Sequence, residues 1–243
     1  MIKKTYFLKS FYFLFSCFSL IVLAACGKVK PEGTVTALDH KVENFTGIDL
    51  SGNYRVFLVS SPENFVNVET YENIGENLKI KVADNTLHIS EKRPTQNVDF
   101  YNVTIYSKFN PAQISVSDSV ELNISGAIRT DNFRLFMKNN GKFIGSVNSR
   151  KAEVEMFDTS RANFTGFTKN ASVKIADTAN LIAPYWILDN LNIDSRNANY
   201  AEVNVKDSIK GKIGNTAKFL YYNDPIRAFE IEKTANVQNQ KLD

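Results

Sequence analysis

From Phe45 onward apolar and polar residues tend to alternate, and no stretch holds the i, i+3, i+4, i+7 spacing of an amphipathic helix beyond three turns. A period of two predicts a nearly all-β domain. Strands are expected at Tyr54–Ser60, Asn64–Tyr71, Leu78–Val82, Thr86–Ser90 and Val98–Ser107, with Leu78, Ile80 and Val82 on one face. Asp84-Asn85 predicts the turn between two of them, because Asp and Asn tolerate left-handed backbone angles that other side chains resist. This N-terminal part reads as a β-meander.

After Pro111 the alternation becomes periodic. Six segments begin with an apolar residue followed two positions later by a turn-former: Val116-Ser-Asp, Met137-Lys-Asn, Met156-Phe-Asp, Ile175-Ala-Asp, Ile193-Asp-Ser and Ile213-Gly-Asn. They recur about every nineteen to twenty residues. The turn column therefore reads Asp118, Asn139, Asp158, Asp177, Ser195, Asn215, and the next column but one reads Val120, Gly141, Ser160, Ala179, Asn197, Ala217. A second polar break falls inside each period, at Thr130-Asp-Asn, Ser149-Arg-Lys, Lys169-Asn, Asp189-Asn and Lys206-Asp-Ser. Two strands and two turns in so short a repeat, with no helix, match one coil of a β-solenoid of two sheets, in which each coil covers the apolar face of the next.

The first residues follow a different rule. Met1-Ile-Lys-Lys is a basic start, and Tyr6 to Leu23 is an apolar run interrupted by Lys9, Ser10, Ser16, Cys17 and Ser19. Such a leader reads as a secretory signal peptide over residues 1–25. It ends in Leu23-Ala-Ala-Cys26-Gly, which resembles the lipobox of bacterial lipoproteins, and makes Cys26 the expected site of lipid attachment. Several acyl chains give a durable anchor, since each buried methylene contributes ~0.8 kcal/mol. Cys17 leaves with the signal, so no pair of thiols remains for a disulfide. The 29 Lys and Arg include Lys3, Lys4 and Lys9 of the leader, which leaves 26 bases against 26 acids in the mature chain. A neutral chain with 43% hydrophobic residues is neither a polycationic nucleic-acid binder nor a polytopic membrane protein. The expected division is a tether over 26–38, one β domain over 39–229, and a polar C-terminal cap or tail over 230–243.

The Phe45-Thr-Gly-Ile-Asp-Leu-Ser-Gly opening, the Asp84-Asn-Thr-Leu-His-Ile-Ser hairpin, the six short turns and the late Tyr222-Asn-Asp-Pro resemble the family of the putative auto-transporter adhesin, head GIN domain. The resemblance covers roughly Asp39 to Phe229. It implies a two-sheet β-superhelix similar to the pectin-lyase-like right-handed β-helix, and a lipid-anchored or secreted protein with an adhesive role in the envelope of a diderm bacterium. Gly27 after the cysteine fits sorting to the outer membrane, with the domain periplasmic-facing or surface-exposed. Where the family has Gly-Ser-Gly at its turns, this chain has Asp-Ser-Val, Asn-Asn-Gly, Asp-Thr-Ser, Asp-Thr-Ala, Ser-Arg-Asn and Asn-Thr-Ala. Val120, at a former Gly position, is expected to make its turn the least secure.

No catalytic site is expected. Lyases and hydrolases on β-helices use clustered carboxylates, a basic residue and often calcium. Asp118, Asp158 and Asp177 share a column and could hold a cation, but Asn139 interrupts them and each Asp is explained by the hydrogen bonds of its own turn. His40 and His88 stand far apart with no cysteine partner, so neither zinc nor another cofactor is expected. No serine lies in a nucleophile elbow. The expected function is a non-enzymatic, lipid-anchored adhesin or surface-interaction module binding a surface glycan, a protein or a second copy of itself. The alternatives are a carbohydrate-active β-helix enzyme and an envelope structural lipoprotein without a dedicated ligand. An outward apolar and aromatic stripe is expected at Ile144, Ile182, Trp186, Tyr200, Leu220 and Tyr222. Asp118-Ser119-Val, Asp177-Thr178-Ala and Asp207-Ser208-Ile resemble an Asp-Ser/Thr-aliphatic acceptor for O-glycosylation, which makes Ser119, Thr178 and Ser208 candidates for sugar attachment.

Overall fold

One left-handed residue per coil sets the shape of this protein. Asp118, Asn139, Asp158, Asp177, Asn197 and Asn215 all have φ between 54° and 68°, in a computed structural model that describes residues 27–241. The expected signal peptide and Cys26 lie outside the described residues. Five of these six residues open a tight turn closed by a main-chain i to i+3 hydrogen bond, such as Ser160 N–H to Phe157 O at 3.2 Å and Ala179 N–H to Ala176 O at 3.3 Å, and in the Asn197 turn the Asn199 side chain bonds Arg196 O instead. Asp and Asn reach this conformation at lower cost than other non-glycine residues.

Between the turns run long parallel strands: β9 (Glu121–Met137), β10 (Lys142–Met156), β11 (Arg161–Ile175), β12 (Asn180–Ser195) and β13 (Tyr200–Ile213). Each is two half-strands joined at the second polar break. In β11 the exposure alternates until Thr168, shows two consecutive exposed residues at Lys169-Asn170, and resumes in the opposite phase at Ala171. Pairing skips Arg150 and Lys169 at the same place. That phase change turns the chain from one sheet into the other. The result is a β-solenoid of about seven turns in which 67% of the described residues are strand.

Inward residues stack from coil to coil. Val154, Val173 and Ile193 are in register, as are Met137, Met156 and Ile175, all buried. The widest part of the core is aromatic. Phe143 and Phe164 have centroids 4.7 Å apart, and Phe164 stacks on Trp186 at 4.5 Å and 19°.

The N-terminal segment joins this solenoid. Its elements are β1 (Val35–Lys41), β2 (Gly47–Ser51), β3 (Arg55–Ser60), β4 (Phe65–Tyr71), the short helix α1 (Glu72–Glu76), β5 (Leu78–Ala83), β6 (Thr86–Glu91), β7 (Tyr101–Ser107) and β8 (Gln113–Val116). β5 and β6 form a hairpin through Asp84-Asn85, both with positive φ. A simple meander would make its other neighbours antiparallel too. Instead β2 and β3 lie parallel to β6 and β7 on one side and to β8 and the first half of β9 on the other. The coil made by β2 and β3 is thus inserted between the coil made by β6 and β7 and the rest. β4 and then β1 add antiparallel strands beyond β7.

The described residues at both ends of the domain carry ordered structure. Val29 is packed in the core and β1 occupies residues 35–41, so the described part of the segment expected to be a tether is docked on the domain. The sequence is polar there, and its one anchoring side chain, Val29, carries little signal. At the other end β14 (Lys218–Tyr222), β15 (Ile226–Ile231) and β16 (Asn236–Gln240) add the last coil, β15 on β13 and β16 on β14. Among the described residues no helix is long and apolar enough to cross a membrane.

Candidate interaction face

Along the turn edge, polar side chains join one coil to the next. Asn139 donates its main-chain N–H to Asp158 Oδ2 at 2.8 Å and its Nδ2 to Asp118 Oδ1 at 2.9 Å. The main-chain N–H of Asp158 donates to Asp177 Oδ2 at 3.1 Å, and Asn197 Nδ2 donates to Asp177 Oδ1 at 3.1 Å. Asn215 continues the series to Asn197, and Glu232 ends it by accepting the Asn215 N–H at 2.7 Å. Beside it runs a hydroxyl ladder. Thr159, Thr178 and Thr234 each donate to the carbonyl of the left-handed residue one coil before. The Asp carboxylates are committed to this ladder, and no group of three or more His, Cys, Asp or Glu assembles among the described residues.

Two assignments at this edge change. Ser195 is not the turn residue of its coil: it pairs with Ile175 and Ile213 and is fully buried, while Asn197 takes the left-handed position. The shift arises because β12 is one residue longer than β11, which displaces the apolar-then-polar pattern used to align the repeat. Val120 does not weaken its turn through left-handed strain, since the positive φ belongs to Asp118 and Val120 lies in the core.

The outer face of the first sheet is different in character. One outward column runs Ile144, Asn163, Ile182, Glu202, Leu220, Gln238, each in register with the next. Ile144 is 43% exposed, and Ile182 and Leu220 are half-buried on either side of Glu202. Tyr200, two residues before Glu202 on the same strand face, donates its hydroxyl to Glu202 Oε2 at 3.0 Å. Tyr222 donates to Oε1 at 2.6 Å. Among the described residues Glu202 has no cationic partner within ion-pair distance. Burial and the hydrogen bond to Glu202 push Tyr200 up to about 12; for Tyr222 the hydrogen bond is the larger cause, burial the next, and the value again is about 12. Both phenols therefore remain donors at neutral pH. Tyr185, 67% exposed, stands near this group.

Trp186 is not part of the face: it is fully buried, stacked on Phe164, with Nε1 donating to Thr168 Oγ1 at 3.1 Å. The cause is a bulge. Pairing of β11 with β12 shifts register between Asn163 and Thr165, so that Pro184 and Tyr185 both lie outside the core and the alternation reverses for Trp186. Tyr222 is only 9% exposed, so it offers its hydroxyl to Glu202 and little ring surface. Glu202 itself escaped the sequence reading. Its signal was the Tyr200-Ala-Glu202 spacing, which puts a donor and an acceptor side by side on one strand face.

The expected acceptors for O-glycosylation are spread over the fold. Ser119 and Thr178 are exposed at turns, with the Thr178 hydroxyl bonded to Asp158 O at 3.0 Å. Ser208 is half-buried and bonded to Asn190 Oδ1 at 2.6 Å. His88 Nδ1 lies 3.0 Å from Asp49 Oδ2, and His40 lies on β1.

A family model described as putative auto-transporter adhesin, head GIN domain, matches residues 44–225. The chain belongs to this family. Solved structures share this fold. A putative adhesin from Bacteroides fragilis NCTC 9343 is 19% identical, with a TM-score of 0.81 over 87% of this chain and 100% of that one. A putative lipid binding protein from Parabacteroides distasonis ATCC 8503 is 15% identical, with a TM-score of 0.71 over 88% of this chain and 100% of that one. A putative adhesin from Parabacteroides merdae ATCC 43184 is 14% identical, with a TM-score of 0.69 over 88% and 99%. No curated protein sequence matches the chain. At these identities the structural likeness establishes the fold and nothing about ligands.

Proposed function

We propose that this head GIN protein is a non-enzymatic surface-interaction module, held in the outer membrane by acyl chains on Cys26 and binding other envelope molecules through the face around Glu202. The family, an adhesin family, supports the adhesive role and an envelope location. The observation that carries the reading is Glu202, a carboxylate without a cationic partner, oriented by Tyr200 and Tyr222 and flanked by Ile182, Leu220 and the exposed Tyr185. Such a patch combines an oriented acceptor, apolar area and an aromatic ring, the elements that give small interfaces their specificity.

Attachment of cells to immobilised outer-membrane fragments of the same organism tests it. Cells lacking the gene should regain attachment with the wild-type chain and fall at least several-fold short with Tyr185→Ala combined with Glu202→Gln. Equal attachment with both chains, at equal surface levels, refutes the assignment of the face. Protease added to intact cells should cleave the domain; protection would place it on the periplasmic side and end the adhesive reading.

A further inference from the structure

The lipid anchor proposed above and the docking of the first described residues together fix how the solenoid stands on its membrane. Val29 forms a parallel bridge with Thr95: its N–H donates to Pro94 O at 2.9 Å, and its carbonyl accepts Gln96 N–H at 2.9 Å. Its side chain is 9% exposed and belongs to the core. Asn73 holds the next residues, donating Nδ2 to Lys30 O at 2.8 Å and accepting the Glu32 N–H at 3.0 Å. Only Gly27 and Lys28 separate Cys26 from Val29. Three residues span at most roughly 11 Å, so acyl chains on Cys26 leave no room for a swinging tether.

Thr95 lies in the loop from β6 to β7, the turn of the coil farthest from the C-terminus along the axis. Below it stack the turns at Gly52, Asp118, Asn139, Asp158, Asp177, Asn197, Asn215 and Lys233. Eight steps of about 4.8 Å put the last turn on the order of 40 Å from the docked Val29. The first sheet runs from β7 through β3, β9, β10, β11 and β12 to β13, with β4 and β1 beyond β7, so Glu202 is about six steps, roughly 30 Å, from the coil that holds Thr95. The segments around the Val29 bridge expose Lys28, Lys30, Lys92 and Arg93, alongside the acids Glu32, Glu72, Glu76 and Glu91, the last of which accepts the Thr95 hydroxyl at 2.8 Å.

We infer that the solenoid stands on its N-terminal pole, with the cap around Val29, Pro94 and Thr95 resting on phospholipid headgroups and the Glu202 face carried well clear of the bilayer. This posture rests on acylation of Cys26. It makes the N-terminal cap a membrane-contact surface and the C-terminal coils the distal, presenting end.

The acylated mature protein, reconstituted in vesicles of phosphatidylcholine with one-third phosphatidylglycerol and a headgroup-attached acceptor dye, allows the test. With Cys17 lost and Cys26 blocked as a thioether, a single introduced cysteine is the only reactive thiol. Donor dye is placed at the exposed positions Gln96→Cys or Gln238→Cys in separate variants. Short-range energy transfer should be several-fold stronger from position 96. A long Gly/Ser insertion between Gly27 and Lys28 should bring the two positions toward equality. Equal transfer from both positions without the insertion, or stronger transfer from 238, overturns the posture in a chain whose Cys26 peptide carries acyl mass. Absence of acyl mass on that peptide refutes the anchor instead, and the posture with it.

Discussion

The carboxylate of Asp158 accepts the main-chain N–H of Asn139 one coil away at 2.8 Å, while its own backbone holds the left-handed angle that closes its turn. One side chain therefore serves two purposes, stacking neighbouring coils and permitting the bend. Asp158→Ala loses both and should lower stability by ~2–3 kcal/mol, from a left-handed penalty of ~1–2 kcal/mol and a lost hydrogen bond of ~1 kcal/mol. Asp158→Gly relieves the backbone and loses only the bond, so it should cost less. Asp158→Asn keeps an acceptor and the permissive backbone and should cost least. Urea unfolding midpoints for the three variants check the order.

Trp186 gives an optical test of the bulge at Pro184. As the sole tryptophan, fully buried against Phe164, it should emit at short wavelength and resist acrylamide quenching until the chain unfolds. Trp186→Ala should cost ~3–5 kcal/mol, the range for deleting a large buried aromatic ring. Gly166, opposite Trp186 in register, has φ of 104°, and a Cβ there would stand 2.5 Å from Val147 O. Gly166→Ala should therefore destabilise as well, through backbone strain and not through lost area. An exposed emission spectrum in the native protein would contradict the register of β12.

The same bulge shows where sequence reading stops. Alternation and the nineteen-to-twenty residue period identify the solenoid, five of the six turn residues and the outward placement of Ile144, Ile182 and Leu220, because each depends on local spacing. Trp186 and Ser195 follow Pro184 on the strand in which one added residue changes the frame, and no local feature announces the change. Glu202 depends on contacts from two coils: Tyr200 on its own strand and Tyr222 twenty residues later. The docking of Val29 on Thr95 is likewise a contact between distant segments with no periodic signature. What stacking distributes evenly along the chain is legible; what one inserted residue or one long-range contact decides is not.

Glu202 should also reveal itself through its phenols. Both Tyr200 and Tyr222 are pushed up to about 12, and the hydrogen bond to Glu202 is the first cause for Tyr222 but the second for Tyr200. Glu202→Gln should lower both titrations toward the ordinary ~10, with the larger change at Tyr222. A phenol whose folded value is raised adds stability below its unfolded value near 10, and that contribution disappears as pH rises through about 12. Ultraviolet titration of the wild type, Tyr200→Phe and Tyr222→Phe separates the two groups. Unchanged titrations in Glu202→Gln would show that the two hydrogen bonds are not formed.

Acid should loosen the C-terminal coil first. Glu232 is held below the usual carboxylate range by the main-chain N–H of Asn215, then by Lys212, whose Nζ lies 3.0 Å from Oε1. A depressed folded value means that its contribution is present above the unfolded value near 4.5 and is lost as pH falls through the folded one. Amide hydrogen exchange at Asn215 and along β16 should therefore accelerate below that pH before the central coils respond. Glu232→Gln should remove the pH dependence while leaving neutral-pH exchange in β11 unchanged.

Ser195 occupies a core position that its neighbours fill with Ile175 and Ile213, and it does so with a partner. Its Oγ donates to Asn199 Oδ1 at 2.7 Å, and Asn199 Nδ2 donates to Ile175 O at 3.1 Å and to Arg196 O. Both residues are fully buried. In the adjacent coils the position of Asn199 is Ala179 and Ala217, small and apolar. The polar pair thus replaces an isoleucine and an alanine as a unit. Ser195→Ile alone strands the Asn199 carbonyl oxygen in the core, and an unsatisfied buried acceptor costs ~1–3 kcal/mol. Asn199→Ala alone removes the acceptor of the Ser195 hydroxyl and should destabilise similarly. The double variant reproduces the neighbouring coils and should recover most of the loss, giving a coupling of about 1–3 kcal/mol in a double-mutant cycle. Additive losses in that cycle would mean that the two side chains act independently and that the coil tolerates them for separate reasons.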